Sequence, residues 1–334
     1  DEYGDFKDNF QRFLFFQKSV VYLIDLLKLK IDVVHCNDWQ SALIPLFLKF
    51  GINGSSRICN ERSLLTIHNI AHQGIFSSDK FYMTQLPLLC NSAKILEFYG
   101  NINCFKGGLV EADAVNTVSP TYADEILTSN YGNGLEGVLS NRINKISGIL
   151  NGVDYSLWNP ENDPYIKQFY SDEDLSGKEM CKKSLQKELG LPEKPDIPLF
   201  SMVSRLTHQK GFDLLIDSID LLMEKDIQII FLGTGEYIYE DKLKEWSDRW
   251  PNKIKSCIEF SVEQAHKFFA GSDLFLMPSI FEPCGQSQIF SMRYGTIPIV
   301  YHTGGLRDTI IDYPKKGSSL SLIHISEPTR LHGI

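Results

Sequence analysis

Two cations and a carboxylate, in two loops far apart in the sequence, are the side chains of this chain best suited to chemistry. Arg205 and Lys210 lie within residues 203–211, and Glu282 lies within residues 281–285. Arg and Lys can hold a diphosphate, Arg as a planar fork and Lys as a point charge. A carboxylate accepts hydrogen bonds from the hydroxyls of a sugar. The two loops together therefore indicate a nucleotide-sugar site.

The elements before these loops must bring them to one edge of a sheet. Apolar runs at 198–203 and 274–277 predict buried strands directly before the two loops, and a helical pattern follows each loop. Ligands of open α/β sheets bind at the carboxyl ends of the strands. We predict further strands at 31–35, 63–68, 114–118, 144–149, 227–232, 257–261 and 297–302. We predict helices at 10–30, 38–50, 105–112, 177–189, 212–224, 238–249, 263–270, 286–294 and 304–311. This alternation predicts an α/β fold with doubly wound parallel sheets.

Composition excludes several classes of protein. A chain of 334 residues is long enough for two domains. The net charge of −9, with no basic stripe, argues against nucleic-acid binding. Residues 13–27 are apolar but are interrupted by Gln17, Lys18 and Asp25, which predicts an amphipathic helix and no membrane span. The 7 cysteines include no Cys-x-x-Cys pair, which is typical of reduced thiols in the cytosol or a plastid stroma.

Further motifs stand in order along the chain. They are His35-Cys36-Asn37-Asp38-Trp39, Thr66-Ile67-His68-Asn69, Phe105-Lys106-Gly107-Gly108-Leu109, Val118-Ser119-Pro120-Thr121-Tyr122-Ala123, Leu150-Asn151-Gly152-Val153-Asp154 and Thr303-Gly304-Gly305-Leu306. With the two loops described above, their order and spacing over residues 3–317 make the chain resemble bacterial-type and plant-plastid-type glycogen/starch synthases. These are retaining glucosyltransferases of the GT-B architecture, in which two Rossmann-like domains face a cleft.

The resemblance implies transfer of glucose from ADP-glucose to the non-reducing end of an α-1,4-glucan. It implies no cofactor and no metal, and a location in the bacterial cytoplasm or the plastid stroma. ADP-glucose and the glucan would be the partners, and the sequence leaves the oligomeric state open. His35, His68 and His72 have no coherent zinc spacing.

The resemblance also assigns catalytic roles. Arg205 and Lys210 would neutralise the leaving diphosphate; without the resemblance, their spacing alone would favour two solvated surface cations. Glu282 would lie beside the ribose and the donor sugar, or would only interact with a helix dipole. His68 would orient the donor glucose, and Asp38 would lie near the glucosyl unit or the acceptor while also capping a helix.

The remaining predicted site residues would bind substrate. They are Asn69, Asn151, Gly233, Gly235, Cys284, Gly285, Gln286, Ser287, Thr303, Gly304 and Gly305. Turn chemistry explains Asn151 and its neighbour Asp154 equally well. Gly233 and Gly235 would permit close approach of the backbone to the nucleotide. Cys284 is predicted to be a small packed thiol with no nucleophilic role.

Two positions depart from related retaining enzymes. Many GT-B transferases carry a second carboxylate eight residues after the first, and this chain has Phe290 there. Glycogen synthases also lack that carboxylate, so the departure favours this family over its relatives. The polar pair Gln286-Ser287 replaces an apolar residue found in several relatives, and this affects which donor contacts are expected.

We predict an N-terminal domain over 1–157, a nucleotide-sugar-binding domain over 158–317 and a non-native tail over 318–334. The first domain is expected to lack the leading strand and glycine loop of the family. Residues 320–330 resemble the translation of a sequencing adapter. Because the glycine loop is expected to be missing, we expect little synthase activity from the 334-residue chain by itself. Two alternatives stay open, namely another retaining GT-B transferase of the sucrose or glycoconjugate type, and an inactive glucan-binding homologue.

Overall fold

The chain folds into two units. The computed structural model describes residues 6–53, 61–142 and 146–311, and the backbone of 321–322. One unit comprises Asp1–Leu150 and the other Asn151–Ile334. The sequence places this boundary after Leu157. Residues 151–157 instead group with the second unit. The backbone oxygen of Asp154 accepts hydrogen bonds from the N–H groups of Leu157 and Trp158, at 3.2 and 3.0 Å. The predicted tail lies outside the described residues except for 321–322.

The first unit is built on a parallel sheet. Its strands are β1 (Val33–Asn37), β2 (Arg62–Ile67), β6 (Ala114–Thr117) and β7 (Ser147–Gly148), in the order β1-β2-β6-β7. A small antiparallel sheet contains β3 (Ile75–Ser77), β4 (Glu97–Phe98) and β5 (Asn101–Asn103), in the order β3-β5-β4. The helices are α1 (Asn9–Leu26), α2 (Ile44–Phe50), α3 (Phe81–Thr84), α4 (Cys104–Glu111), α5 (Pro120–Glu125) and α6 (Glu136–Ser140). Short 3₁₀ helices cover Trp39–Ser41, Ser78–Lys80 and Leu88–Cys90.

Several predicted elements of this unit have different bounds. The helix predicted over 10–30 ends at Leu26, because Lys28 adopts a left-handed backbone with φ 48°. The strand predicted over 31–35 runs instead from Val33 to Asn37. The helix predicted over 38–50 is a 3₁₀ turn followed by α2, whose first turn contains Pro45. Proline favours the start of a helix, so α2 begins there.

The second unit contains a six-stranded sheet. Its strands are β8 (Leu199–Val203), β9 (Gln228–Leu232), β10 (Ile254–Cys257), β11 (Leu274–Met277), β12 (Ile297–Val300) and β13 (Ser321–Leu322), in the order β10-β9-β8-β11-β12-β13. The helices are α7 (Ser176–Glu188), α8 (Phe212–Met223), α9 (Tyr237–Arg249), α10 (Val262–Gly271), α11 (Ser287–Arg293) and α12 (Gly304–Thr309), with a 3₁₀ turn at His208–Lys210. All pairs are parallel except β12 with β13.

The strand predicted at 257–261 lies earlier, at Ile254–Cys257. The observed register pairs Ile254 with Ile229 and buries Ile254 completely. Phe260, which lies within the predicted range, is 89% exposed. An edge strand that includes Lys255 and Ser256 lacks the apolar run by which a buried strand is recognised.

The strand order of the second unit places a crevice beside β8. The chain runs outward from β8 through β9 to β10 and then returns to form β11 on the other side of β8. Ligands bind at such a switch point, outside the carboxyl ends of the strands. All five residues of β9 are buried, as expected for a parallel strand covered on both faces. Within the described residues, no helix is long and apolar enough to cross a bilayer.

Candidate functional site

The loops after β8 and β11 meet at one ion pair. Lys210 Nζ lies 2.6 Å from Glu282 Oε2, and the two side chains are only 14% and 9% exposed. Both residues were predicted from sequence to belong to one site, and the fold places them in contact. Because both charged groups are nearly buried, each depends on the other for its charge compensation.

Gly211 allows the first loop to lie this close to the second. Its φ is 78°, and a Cβ at this position would lie 2.1 Å from the backbone oxygen of Pro278. A side chain here would force the two loops apart. The glycine that ends the Arg205–Lys210 loop therefore serves close packing at the switch point.

A cavity of about 190 Å³ lies beside the ion pair. Its polar lining consists of Ser204, Arg205, Lys210, Ser279 and Ser287, and its apolar lining comes from β8 and β11. The hydroxyls of Ser204 and Ser279 are buried and have no hydrogen-bond partner among the residues that the structure describes. Buried polar groups normally have a partner, so these hydroxyls suit a polar ligand.

Gly233 and Gly235 pack one loop against another. A Cβ on Gly233 would lie 1.8 Å from the backbone oxygen of Ser204, and one on Gly235 would lie 2.1 Å from that of Leu206. The N–H of Leu206 also donates to the backbone oxygen of Thr234, at 2.9 Å. This packing is sufficient reason for both glycines, and their approach to a nucleotide stays a prediction.

The start of α12 lies against the loop that carries Glu282. The N–H of Gly305 donates to the backbone oxygen of Glu282 at 3.0 Å, and a Cβ on Gly305 would lie 2.2 Å from the backbone oxygen of Cys284. Thr303 and Gly304, which precede Gly305, are also buried. Burial raises the pKa of the Cys284 thiol, although a hydrogen bond from the backbone of Asn151 lowers it in part. A thiol with a raised pKa is a weak nucleophile at neutral pH.

The other predicted residues of this unit differ in their surroundings. Ser287 lines the cavity, and Gly285 has a left-handed φ of 71°. Gln286 is exposed, and its Nε2 lies 3.5 Å from the backbone oxygen of Gly152. Asp154 accepts hydrogen bonds from the backbone N–H and the hydroxyl of Ser156, at 2.9 and 2.6 Å, and these bonds lower the pKa of Asp154. Turn chemistry thus accounts for its position.

Phe290 belongs to an aromatic stack. Its ring lies 4.0 Å from that of Trp158, and the other side of Trp158 stacks on His266 at 3.9 Å. His266 Nδ1 in turn lies 2.7 Å from the buried carboxylate of Asp163. The position at which related enzymes carry a second carboxylate is therefore part of the packing of this unit.

In the first unit, Asp38 fixes the loop that follows β2. Asp38 Oδ1 accepts hydrogen bonds from the backbone N–H groups of His68 at 2.7 Å and Asn69 at 3.4 Å. Its side chain makes no capping bond to the 3₁₀ turn that follows, so the predicted N-cap role is wrong. Burial raises the pKa of Asp38, while the His68 hydrogen bond and the nearby His68 and His72 lower it in part.

His68 and Asn69 stand at the carboxyl end of β2, as predicted. His68 Nε2 lies 2.9 Å from Asn37 Oδ1, and Asn69 Oδ1 accepts from the N–H of Ala71 at 3.0 Å. His68 as a whole is half-buried. These contacts fix both the backbone and the imidazole of His68.

Within the part of the chain that the structure describes, no three His, Cys, Asp or Glu side chains gather closely enough to hold a metal ion. His35, the first of the three histidines considered above, has its Nε2 2.6 Å from the hydroxyl of Thr66.

Sequence reasoning missed Ser204, Ser279 and Asn37. Serine is common in loops, so Ser204 and Ser279 carry no signal until the sheet brings them to one cavity. The position of Asn37, at the end of a strand and next to Asp38, was the signal available for its contact with His68. Proximity to a strand's carboxyl end is thus informative even for residues without charge.

Two family models match the chain. The starch synthase catalytic domain matches residues 1–141, and glycosyl transferases group 1 matches residues 182–319. Each of these ranges lies within one of the two structural units.

Curated relatives and a solved structure agree with these matches. Glycogen synthase 2 of Geobacter sulfurreducens is 44% identical, over 95% of this chain and 66% of its own length. The glycogen synthase of Lactococcus lactis is 44% identical, over 96% and 68% respectively. The catalytic domain of starch synthase IV from Arabidopsis thaliana, bound to ADP and acarbose, has a TM-score of 0.86 and 34% identity, over 94% of this chain and 65% of that one. The chain thus spans about two thirds of the length of these relatives. It has the Rossmann-like units of the GT-B fold, and it belongs to the glycogen/starch synthase family.

Proposed function

We propose that the complete protein transfers glucose from ADP-glucose to the non-reducing end of an α-1,4-glucan, with retention of configuration. Family membership supports this proposal, as does the relative from Arabidopsis thaliana whose structure contains ADP and acarbose. A place in the bacterial cytoplasm or a plastid stroma belongs to the same proposal.

The cavity beside Lys210 is the observation that carries the proposal. It combines two cations, Arg205 and Lys210, with the buried hydroxyls of Ser204 and Ser279. A diphosphate presents several anionic acceptor oxygens, which need both positive charge and hydrogen-bond donors. The side chains of Arg205 and Lys210 can supply this positive charge without a divalent metal ion. We therefore propose that the reaction proceeds in the presence of a chelator.

The proposed chemistry is a front-face displacement. The bond between the glucosyl C1 and the β-phosphate oxygen breaks, and ADP leaves. The acceptor hydroxyl oxygen forms the new bond to C1 on the same face, and its proton passes to the leaving phosphate. Negative charge grows on the diphosphate as the bond breaks, so cations placed there stabilise the transition state more than the ground state.

The first unit completes the proposal. We assign to His68 the task of orienting the donor glucose, with its backbone carbonyl supporting the developing positive charge on the sugar. Asp38 holds the backbone of His68, at 2.7 Å from its N–H. This assignment comes from the family resemblance, and the fixed geometry of His68 supports it.

The test is incorporation of glucose into glycogen by the product of the complete gene, from ADP-glucose and from UDP-glucose, with and without a chelator. A protein carrying both Arg205→Ala and Lys210→Ala is measured beside it. We expect incorporation from ADP-glucose that the double variant loses. Incorporation from neither donor by a folded protein would favour the inactive homologue, and a product other than glucan would favour another retaining transferase.

A further inference from the structure

Gln209 joins the two loops of the second unit at two consecutive residues. Its backbone oxygen accepts a hydrogen bond from the N–H of Ile280 at 2.9 Å. Its side-chain Nε2 donates to the backbone oxygen of Phe281 at 3.1 Å. One residue of the first loop therefore provides both an acceptor and a donor to the second, and this fixes their relative position.

These bonds lie directly beside the ion pair. Lys210 follows Gln209, and Glu282 follows Phe281, so each hydrogen-bonded residue precedes one member of the pair. A shift of the first loop along the second would carry Lys210 away from its place at 2.6 Å from Glu282. Charge attraction alone does not fix such a register, because the Lys side chain is long and flexible.

The neighbouring His208 has a different environment. Its side chain is 70% exposed and pairs with Asp213, at the start of α8. Among the described residues, His208 makes no side-chain hydrogen bond to the loop after β11, and it does not line the cavity. His208 is therefore a matched control for a substitution in the same 3₁₀ turn.

We propose that Gln209 is a positioning residue, which holds Lys210 where it meets the diphosphate of the donor and does not itself touch the substrate. This inference rests on the proposed function, since it takes the cavity beside Lys210 as the diphosphate site. Glutamine suits the task because an amide can donate to a carbonyl without adding a charge that would compete for Lys210.

The experiment compares the binding of ADP and of adenosine to the complete protein by calorimetry. Gln209→Met keeps the length of the side chain and removes its donor. We expect ADP affinity to fall about 10-fold, as when one hydrogen bond to a charged group is misplaced, with adenosine affinity unchanged. The His208→Ala control should retain both affinities.

If Gln209 had a purely structural role, Gln209→Met would lower the affinities for ADP and for adenosine equally, and that result would overturn the proposal. Unchanged ADP affinity in Gln209→Met would overturn it as well. Gln209→Asn, which keeps the amide but is one methylene shorter, is made beside it; misfolding of both variants would count against a positioning role. Lys210→Ala separates the two hypotheses. If Lys210→Ala leaves ADP affinity unchanged, the proposed diphosphate site is wrong. If Lys210→Ala lowers ADP affinity and Gln209→Met does not, only the proposed role of Gln209 is wrong.

Discussion

The candidate sites of the two units use a carboxylate in different ways. In the first unit, Asp38 accepts hydrogen bonds from the backbone N–H groups of His68 and Asn69. In the second unit, Glu282 pairs with the side chain of Lys210. A backbone donor keeps its partner whether or not a ligand is bound, whereas a lysine can exchange one anion for another. The comparison indicates that Asp38 is part of the scaffold and that the ion pair of Glu282 is open to exchange with a ligand.

The largest effect that this comparison predicts is on the diphosphate. Lys210→Ala, combined with Arg205→Ala, should lower the affinity for ADP about 100-fold or more, since each charged hydrogen bond contributes roughly 1.5–3 kcal/mol. Adenosine, which has no phosphate, should bind as before. Calorimetric titration of the complete protein with both nucleotides measures this difference. Equal losses for ADP and adenosine would mean that the cations maintain the fold of the loop and do not bind phosphate.

The second prediction concerns the stability of the first unit. Asp38→Ala leaves the N–H of His68 without its acceptor, which should lower the free energy of unfolding by about 1–3 kcal/mol. Asp38→Asn keeps an oxygen acceptor and removes a charge whose burial is unfavourable, so its stability at neutral pH should equal or exceed that of the wild type. Urea denaturation of the three proteins measures both changes. If the Asn variant is as unstable as the Ala variant, the negative charge itself is required.

The pH dependence of the same proteins sharpens this result. The pKa of Asp38 is raised in the folded state by burial, so folding favours the protonated carboxyl. The resulting stability is fully present below the ordinary carboxyl pKa and is lost as pH rises through the raised value. As pH rises above about 4, the ordinary pKa of an Asp carboxyl, the wild type should therefore lose stability relative to Asp38→Asn. His68 and His72 face this carboxylate and lower its pKa in part, so His72→Gln serves as the control for the contribution of His72.

A smaller effect is expected at Glu282. Glu282→Gln frees Lys210 from its anion and removes a negative charge beside the diphosphate, so the ratio of ADP affinity to adenosine affinity should rise several-fold. The variant should be less stable without ligand, because a nearly buried lysine is left without its counter-charge. Calorimetry and thermal unfolding, with and without ADP, test both parts. A lower ratio would show that the carboxylate holds Lys210 in its binding position and does not compete for it.

The smallest effect is expected at Cys284. This thiol is 4% exposed, and burial raises its pKa. Cys284→Ala should change ADP affinity by less than about twofold, within the usual range for a conservative change outside a binding contact. Alkylation of Cys284 at neutral pH should also be slow. Rapid alkylation that ADP prevents would instead place the thiol in the ligand site.

The sequence predicts most of the strands and helices of the second unit because the information for them is local. The strand over Leu274–Met277 and the helix over Phe212–Met223 follow from apolar periodicity, and the charged residues after the strands stand out by type. The short strands Ile75–Ser77 and Asn101–Asn103 were missed, since strands of three residues show no recognisable alternation. The partner of Asp38 was missed for another reason. Asp38 accepts from the backbone N–H groups of His68 and Asn69 at the end of the neighbouring strand β2, and only the assembled sheet brings these groups together.

The stack of Phe290, Trp158 and His266 has a consequence for anyone redesigning this enzyme family. A designer who wished to import the second carboxylate of related transferases would place Glu at residue 290. That change would exchange a ring stacked at 4.0 Å on Trp158 for an anion, in a packing that extends to the buried Asp163. Two carboxylates and no added cation would then share one region of the interior. The exchange would need compensating changes at Trp158 and Asp163, so this site resists single-residue conversion to the chemistry of its relatives.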